Sequence, residues 1–336
     1  MATLLEHTVM PSGGDFTSVS AAIEHIKTDH ADLTLADVYA EVKIDGTWSS
    51  ADTTAVAIEN IVTDVTRNLK IYTTVQARHD GRWDTGAHWL SVDPGLYGGV
   101  VELNSVEYVH LDGLQVGVSA SGNSRYGIHV KGDLRTDNAN ATWISNCVAK
   151  GVGGTARTLC YGLYINGDYA DVHLWNSVLF NNRAGGTCYG VYAYASGGSL
   201  AAYSSTIIGG EHGLRRSLGT VTAKNIYAGG SVSSDFYGTM TKAACASSDL
   251  TGNTTPDDLT EIPVSTSTFV NVTPGSEDFN LVSGSPLIGK GTDTSGEGAP
   301  LNFTTDIVGT ARGSVWDVGA FEFVVTGSLI LKIINE

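Results

Sequence analysis

The chain has 336 residues, with 35 acidic against 19 basic side chains and a formal net charge of −16. Such a surface repels nucleic acid and anionic lipid, and no run of about eighteen apolar residues offers a membrane span. Gly is abundant (41) and Pro scarce (7), the balance expected of many short strands that turn sharply yet keep their ladder donors.

Met1 is followed at once by Ala2-Thr3-Leu4-Leu5-Glu6-His7, without a basic start, apolar core or cleavage site, so export by the common secretory route is not expected. Phe16, Val19, Ala22, Ile23 and Ile26 then fall at helical spacing, with Asp15 or Thr17 placed to cap the start. This predicts a short amphipathic helix covering the open end of a sheet stack, within an N-terminal cap over residues 1–36. Strand signals follow at Val38 to Ile44, Val56 to Val62 and Leu69 to Thr73, each short, rich in β-branched residues and bounded by Gly, Asp or Asn.

The densest polar and aromatic stretch comes next: Arg78-His79-Asp80-Gly81-Arg82-Trp83-Asp84-Thr85-Gly86-Ala87-His88-Trp89. Paired carboxylates suit glycoside hydrolysis, and an indole face suits stacking on a sugar ring. Asp80, Asp84 and His88 are therefore the catalytic candidates, and Trp83 and Trp89 the first glycan-binding candidates. The competing expectation is a framework loop over the helix end, with both indoles buried and the charges pairing locally. Arg67, Lys70, Arg78 and Arg82 form the best local basic patch for an acidic polysaccharide, or else simply scattered surface charge.

Strand signals resume at Val100-Val101-Glu102-Leu103 and Val109 to Val116, and a repeat becomes legible. Arg125-Tyr126-Gly127-Ile128-His129-Val130, Cys160-Tyr161-Gly162-Leu163-Tyr164-Ile165 and Cys188-Tyr189-Gly190-Val191-Tyr192-Ala193 say nearly the same thing, with a degenerate copy at His212-Gly213-Leu214. The glycines lie 35, 28 and 23 residues apart. Between them, Ser145-Asn146-Cys147-Val148, Trp175-Asn176-Ser177-Val178 and Ser204-Ser205-Thr206-Ile207 superpose at spacings of 30 and 29. A period of this size in a Gly- and Thr-rich sequence means one unit stacked on itself, on the order of nine to eleven turns. Alternation places Val148, Val178 and Ile207 inward, and Asn146 and Asn176 as a polar ladder at a turn. Tyr164 and Tyr192 hold equivalent positions and are expected to stack as an aromatic ladder, either exposed for glycan binding or packed away.

Four cysteines, Cys147, Cys160, Cys188 and Cys245, show no CxxC spacing, so zinc is not expected and reduced thiols are. Cys160 and Cys188 occupy the same place in consecutive repeats, where a ladder of small buried thiols or a bridge would fit. Asp112, Asp133, Asp137, Asp168 and Asp171 are the acids from which a calcium site would have to be drawn, with Arg135 the nearest base. Turn acids are ordinary in such a chain, and no cofactor or metal is expected beyond that calcium option. His110 and His129 read as packed or solvent-facing strand residues.

The last third runs Asp278-Phe279-Asn280-Leu281, Ser285-Pro286-Leu287-Ile288-Gly289-Lys290-Gly291, Asp306-Ile307-Val308-Gly309, Arg312 and Asp317-Val318-Gly319-Ala320-Phe321-Glu322. This order resembles the terminal signature of bacterial and phage β-helix proteins, with Gly289 where that family usually has Asp. The turn lengths resemble the pectate-lyase-like superfamily, and Asn68 to Thr74 with the loop after it resembles the N-terminal turns of phage and prophage β-helix proteins.

The resemblance implies an all-β, right-handed parallel β-helix over residues 37–260 with C-terminal turns and a cap over 261–323. In that cap Arg312 would pair with Asp306, Asp317 or Glu322. Residues 324–336 end in an apolar stretch read as a terminal strand that covers the last turn or packs against another subunit. It further implies a virion protein without enzymatic activity: a head fibre, decoration protein or tail spike. The expected partners are two further copies in a homotrimer, other virion proteins and cell-surface polysaccharide. The alternative is a polysaccharide lyase or glycoside hydrolase on the same scaffold.

Overall fold

The computed structural model describes residues 2–95, 97–118, 125–131, 141–151, 160–181, 188–253 and 259–324. The calcium-candidate residues Asp133, Arg135 and Asp137 and the terminal stretch from residue 325 lie outside them. Parallel strands stack into three faces of a β-helix. On the first face nine strand segments follow one another from Thr3–Val9 through Val38–Ile44, Leu69–Thr73, Val109–Asp112, Ala141–Ser145 and Asp171–Trp175 to Thr241–Ala243. The second face is a seven-stranded sheet from Leu90–Val92 to Ala246–Ser247. The third runs from Val56–Glu59 to Ser234–Tyr237, and two long bent strands, Tyr189–Tyr203 and His212–Lys224, join it to the first.

Inside, alternation builds columns of aliphatic side chains. Val42, Ile71, Leu111, Ile144, Leu174, Ala202 and Ala223 pair in successive turns of the first face, all buried. Val101, Ile128, Leu163, Val191 and Leu214 do the same on the third. Between the first and second faces the chain turns through a left-handed residue in every later turn: Gly113, Asn146, Asn176, Ser204, Asn225 and Ala244 all have positive φ. Asn tolerates that conformation better than other side chains, so Asn146 and Asn176 sit at a corner, as expected. Their side chains bond elsewhere than along a ladder: Asn146 Nδ2 donates to Asp112 Oδ1 (2.8 Å) and Asn176 Nδ2 to the Thr305 carbonyl.

The inward set at Val148, Val178 and Ile207 needs correction. Val178 pairs with Thr206, and Ile207 pairs with Leu179. The true spacing here is 28, one less than superposition of the motifs suggests, and a one-residue slip exchanges the two sides of a strand. Ile207 therefore faces the core, whereas Val148 and Val178 point outward into a second apolar cluster with Phe269, Phe279, Leu287 and Phe321.

That second cluster defines the C-terminal segment. Residues 248–253 and 259–262 close the last turn: Asn253 N–H donates to the Cys245 carbonyl (2.8 Å), Ile262 N–H to the Ser247 carbonyl (2.9 Å) and Phe236 N–H to Thr251 Oγ1 (3.0 Å). Residues 263–323 then run along the outside of the second face, starting with the antiparallel pair Phe269–Asn271 and Asp278–Leu281. They form a lateral clamp, not the end plug expected. The corner asparagines hold it, with Asn176 Nδ2 donating to the Thr305 carbonyl (2.8 Å) and Asn225 Nδ2 to the Thr292 carbonyl (2.7 Å).

The acids of the clamp are structural. Asp306 accepts from Val308, Thr310 and Glu322 N–H, and Asp317 from Gly289 and Phe323 N–H. Arg312 pairs with Glu322 at 3.2 Å.

At the other end, residues 1–36 do not form a cap alone: Thr3–Val9 is already the first rung, paired in parallel with Val38–Ile44. The helix Val19–Asp29 follows, burying Val19, Ala22, Ile23 and Ile26. Its cap is Ser18, not Asp15 or Thr17, with Oγ accepting from Ala21 N–H at 3.2 Å.

Candidate functional site: a polar cleft beside the second face

The loop over residues 78–89 is pinned to the second face by a buried amide. Gln115, fully buried, donates from Nε2 to the Asp84 and His88 carbonyls (2.8 and 2.9 Å) and accepts the Asp84 N–H at Oε1 (2.6 Å). Two glycines permit the close fit. A Cβ on Gly117 would lie 2.6 Å from the Trp83 ring, so the indole rests on bare backbone. Gly81, at φ +84, would bring a Cβ within 2.5 Å of Phe321 in the clamp. Loop and clamp thus lean on each other.

Between them lies a cleft of about 490 Å³. Asp80, Arg82, Trp83 and Asp84 form one wall; Val270, Asn271 and residues 275–278 form the other. Arg82 bonds both oxygens of Asp80 from Nε (3.2 and 3.0 Å) and reaches Asp278 at 3.5 Å. Its hydrogen bonds hold the Asp80 carboxyl below the usual carboxylate range. Asp84 accepts the Gly86 N–H (2.7 Å), and Asp278 accepts Asn280 N–H (3.0 Å). Glu277, buried, accepts the Gly275 N–H (2.7 Å) and pairs with Lys150 at 3.5 Å. The Lys150 ammonium lies 5.9 Å from the centre of the half-buried Trp83 ring. Every carboxylate of the cleft therefore meets a donor.

Three sequence candidates, Asp80, Trp83 and Asp84, come together here. His88 does not: it is fully buried, edge-on to Trp48 at 4.6 Å, and desolvation pushes its pKa down to about 3. An imidazole sealed in the interior has no route to a substrate, so His88 is withdrawn as a catalytic candidate. Trp89, half-buried, packs against the solenoid core. The basic patch is spent on local pairs, Arg67 with Asp37 and Asp64, Arg78 with Asp112 and Arg82 with Asp80, while Lys70 sits over the Tyr72 ring. Among the described residues, no group of three His, Cys, Asp or Glu side chains is placed to hold a metal ion.

The tyrosine ladder exists, with a consequence that the sequence did not reveal. Tyr164 and Tyr192 stack with centroids 5.3 Å apart and planes 13° apart. His129 covers the far face of Tyr164 (5.1 Å, 16°), and the Arg215 guanidinium lies 5.0 Å from the Tyr192 centroid. Ring faces are thus occupied by neighbouring rungs, leaving edges and hydroxyls to a ligand. A second column, Tyr126, Tyr161 and Tyr189, is buried beside the first.

The repeated glycine explains this doubling. Tyr161 and Tyr164 are three apart, on opposite sides of a flat strand, yet their rings touch at 5.1 Å. The strand bends at Gly162, where a Cβ would lie 2.7 Å from the Gly190 carbonyl oxygen.

One Ser–His contact escaped sequence reasoning because its members are 35 residues apart: His110 Nε2 lies 2.8 Å from Ser145 Oγ. Ser145 is 1% exposed and donates to Asp112 (3.2 Å), so it accepts from His110, and this is a packed network without a nucleophile's access.

No protein-family model matches the chain, and no curated protein matches it. Among solved structures it is similar to pectate lyase Pel9A, with 13% identity over 96% of this chain and 97% of that one and a TM-score of 0.44. It is also similar to the pectin methylesterase from Aspergillus niger in deglycosylated form, with 11% identity over 73% and 83% and a TM-score of 0.37. Likeness at this level carries no activity across.

Proposed function

We propose that this parallel β-helix is a structural, adhesive protein of a virus particle, a head fibre, decoration protein or tail spike, that holds polysaccharide in the cleft at Trp83. The observation that carries the glycan reading is that cleft: one flat indole beside carboxylates whose oxygens accept hydrogen bonds, as sugar hydroxyls require. Its rigid mounting on Gln115 and the clamp suits binding with little ordering cost. The virion assignment rests on the resemblance of the C-terminal and N-terminal turns, the acidic surface and the apolar terminal stretch, which suits assembly into a homotrimer.

A glycoside hydrolase would need a carboxyl kept protonated as general acid beside a second carboxylate. Asp80, tied to Arg82 and held charged, is poorly suited to that role, which favours retention over cleavage. The test is co-sedimentation with a panel of insoluble polysaccharides, followed by assay of the supernatant for new reducing ends and unsaturated products. Retention without product, lost in Trp83→Ala, supports the proposal. Release of product by the wild type, absent in Asp84→Asn, would replace it with the enzymatic alternative.

A further inference from the structure

The charge of the cleft narrows what it accepts, and this inference rests on the glycan reading above. Among the described residues, the four acids Asp80, Asp84, Glu277 and Asp278 stand against two cations, Arg82 and Lys150, so acids outnumber bases two to one within one small space. Both cations are committed: Arg82 to Asp80 and Asp278, Lys150 to Glu277. Neither is left to receive a sugar carboxylate, and the other basic residues of the sequence patch are paired elsewhere or seated on a ring. The whole chain, at −16, adds a repulsive long-range field.

We infer that the cleft takes uncharged or aminated sugar units and turns away uronates. The Trp83 face would meet the apolar face of a hexose ring, while Asp84 and Glu277 accept hydrogen bonds from hydroxyl or ammonium groups. A carboxylate in the same position would face like charges across a few ångströms, where each uncompensated pair costs affinity. Binding of an aminated sugar would be charge-assisted and would weaken with salt; binding of a neutral one would be almost indifferent to it.

The experiment is calorimetric titration of the full chain with three soluble hexasaccharides: a neutral glucan, a glucosamine oligomer and a galacturonate oligomer. Each is run at about 20 and about 200 mM salt. The neutral or aminated oligomer is expected to bind at least about tenfold more tightly than the galacturonate at low salt, with the gap closing as salt rises. Asp84→Asn with Glu277→Gln, both nearly isosteric, should narrow the gap by tightening the galacturonate. Equal or tighter binding of galacturonate, or a gap unchanged in the double variant, overturns the charge rule while the glycan reading stands. Failure of all three oligomers to bind overturns both.

Discussion

Replacing Arg312 by Met tests whether the C-terminal segment is a lateral clamp. The Arg312 side chain is fully buried, and its guanidinium bonds Glu322 (3.2 Å), Asn176 Oδ1 (3.2 Å) and the Gly319 carbonyl (3.2 Å) while lying over Trp316 (5.1 Å). Removing one member of a buried ion pair costs about 3–5 kcal/mol because the partner is left charged and dry. Here burial already raises the Glu322 carboxyl, so the orphaned acid can take up a proton and limit the loss to the lower end, about 3 kcal/mol. In a solenoid each turn contacts only its neighbours, so the loss should be local.

Hydrogen exchange should show faster exchange at amides of the clamp, such as Gly291, Ile307 and Val318. Amides on the first face near Leu111 and Ile144 should keep their protection. Arg312→Lys, which keeps a charge but not the planar fork, should fall between the two. Uniform loss of protection across both regions, or no loss at all, would refute the clamp.

Three further outcomes follow from the same packing. Gly190→Ala places a Cβ 2.1 Å from Ile207 Cγ2 and 2.8 Å from the Gly213 carbonyl; it should cost about 1–3 kcal/mol in denaturant unfolding, whereas a neutral result would mean the Tyr-Gly repeat is not a packing constraint. Acid should destabilise the fold through His88 and His79, whose pKa values burial pushes down to about 3 and about 4. Their contribution is complete above the unfolded value near 6.5 and is lost as pH falls towards 4 and 3, roughly 3–5 kcal/mol for each at the bottom of that window. Asp52 and Asp235, raised by burial, offset part of it, and His88→Phe should flatten the pH profile of the melting temperature. Tyr164→Ala should lower stability without abolishing glycan retention, because the ring faces it removes are covered by His129 and Tyr192; loss of retention in a folded variant would restore the ladder as a binding surface.

Much of the fold is legible in local sequence. Val38–Ile44 and Leu69–Thr73 begin and end where the β-branched alternation does, and Tyr-Gly units mark consecutive turns of one face because glycine is needed where the strand bends. What was not legible depends on register. Which side Val178 faces is decided by a turn of 28 residues, and a motif match of 29 reverses it. The strand Thr3–Val9 carries only a weak alternation, since Leu4 and Glu6 are exposed and His7 buried.

The candidate site divides the same way. The loop sequence showed Asp80, Trp83 and Asp84, but the opposite wall comes from Glu277 and Asp278, nearly two hundred residues away. Nothing in the clamp's own sequence says that it folds back along the flank. The signal available in retrospect is the corner asparagines, Asn176 and Asn225, whose side chains are spent on clamp carbonyls and not on each other.

The most direct test of the account is hydrogen exchange of the full chain with and without a saturating neutral hexasaccharide. Slowed exchange confined to residues 80–86 and 275–278, absent in Trp83→Ala, is the expected result. Protection along the tyrosine ladder instead, or no change anywhere, would contradict the account and remove the cleft as the binding site.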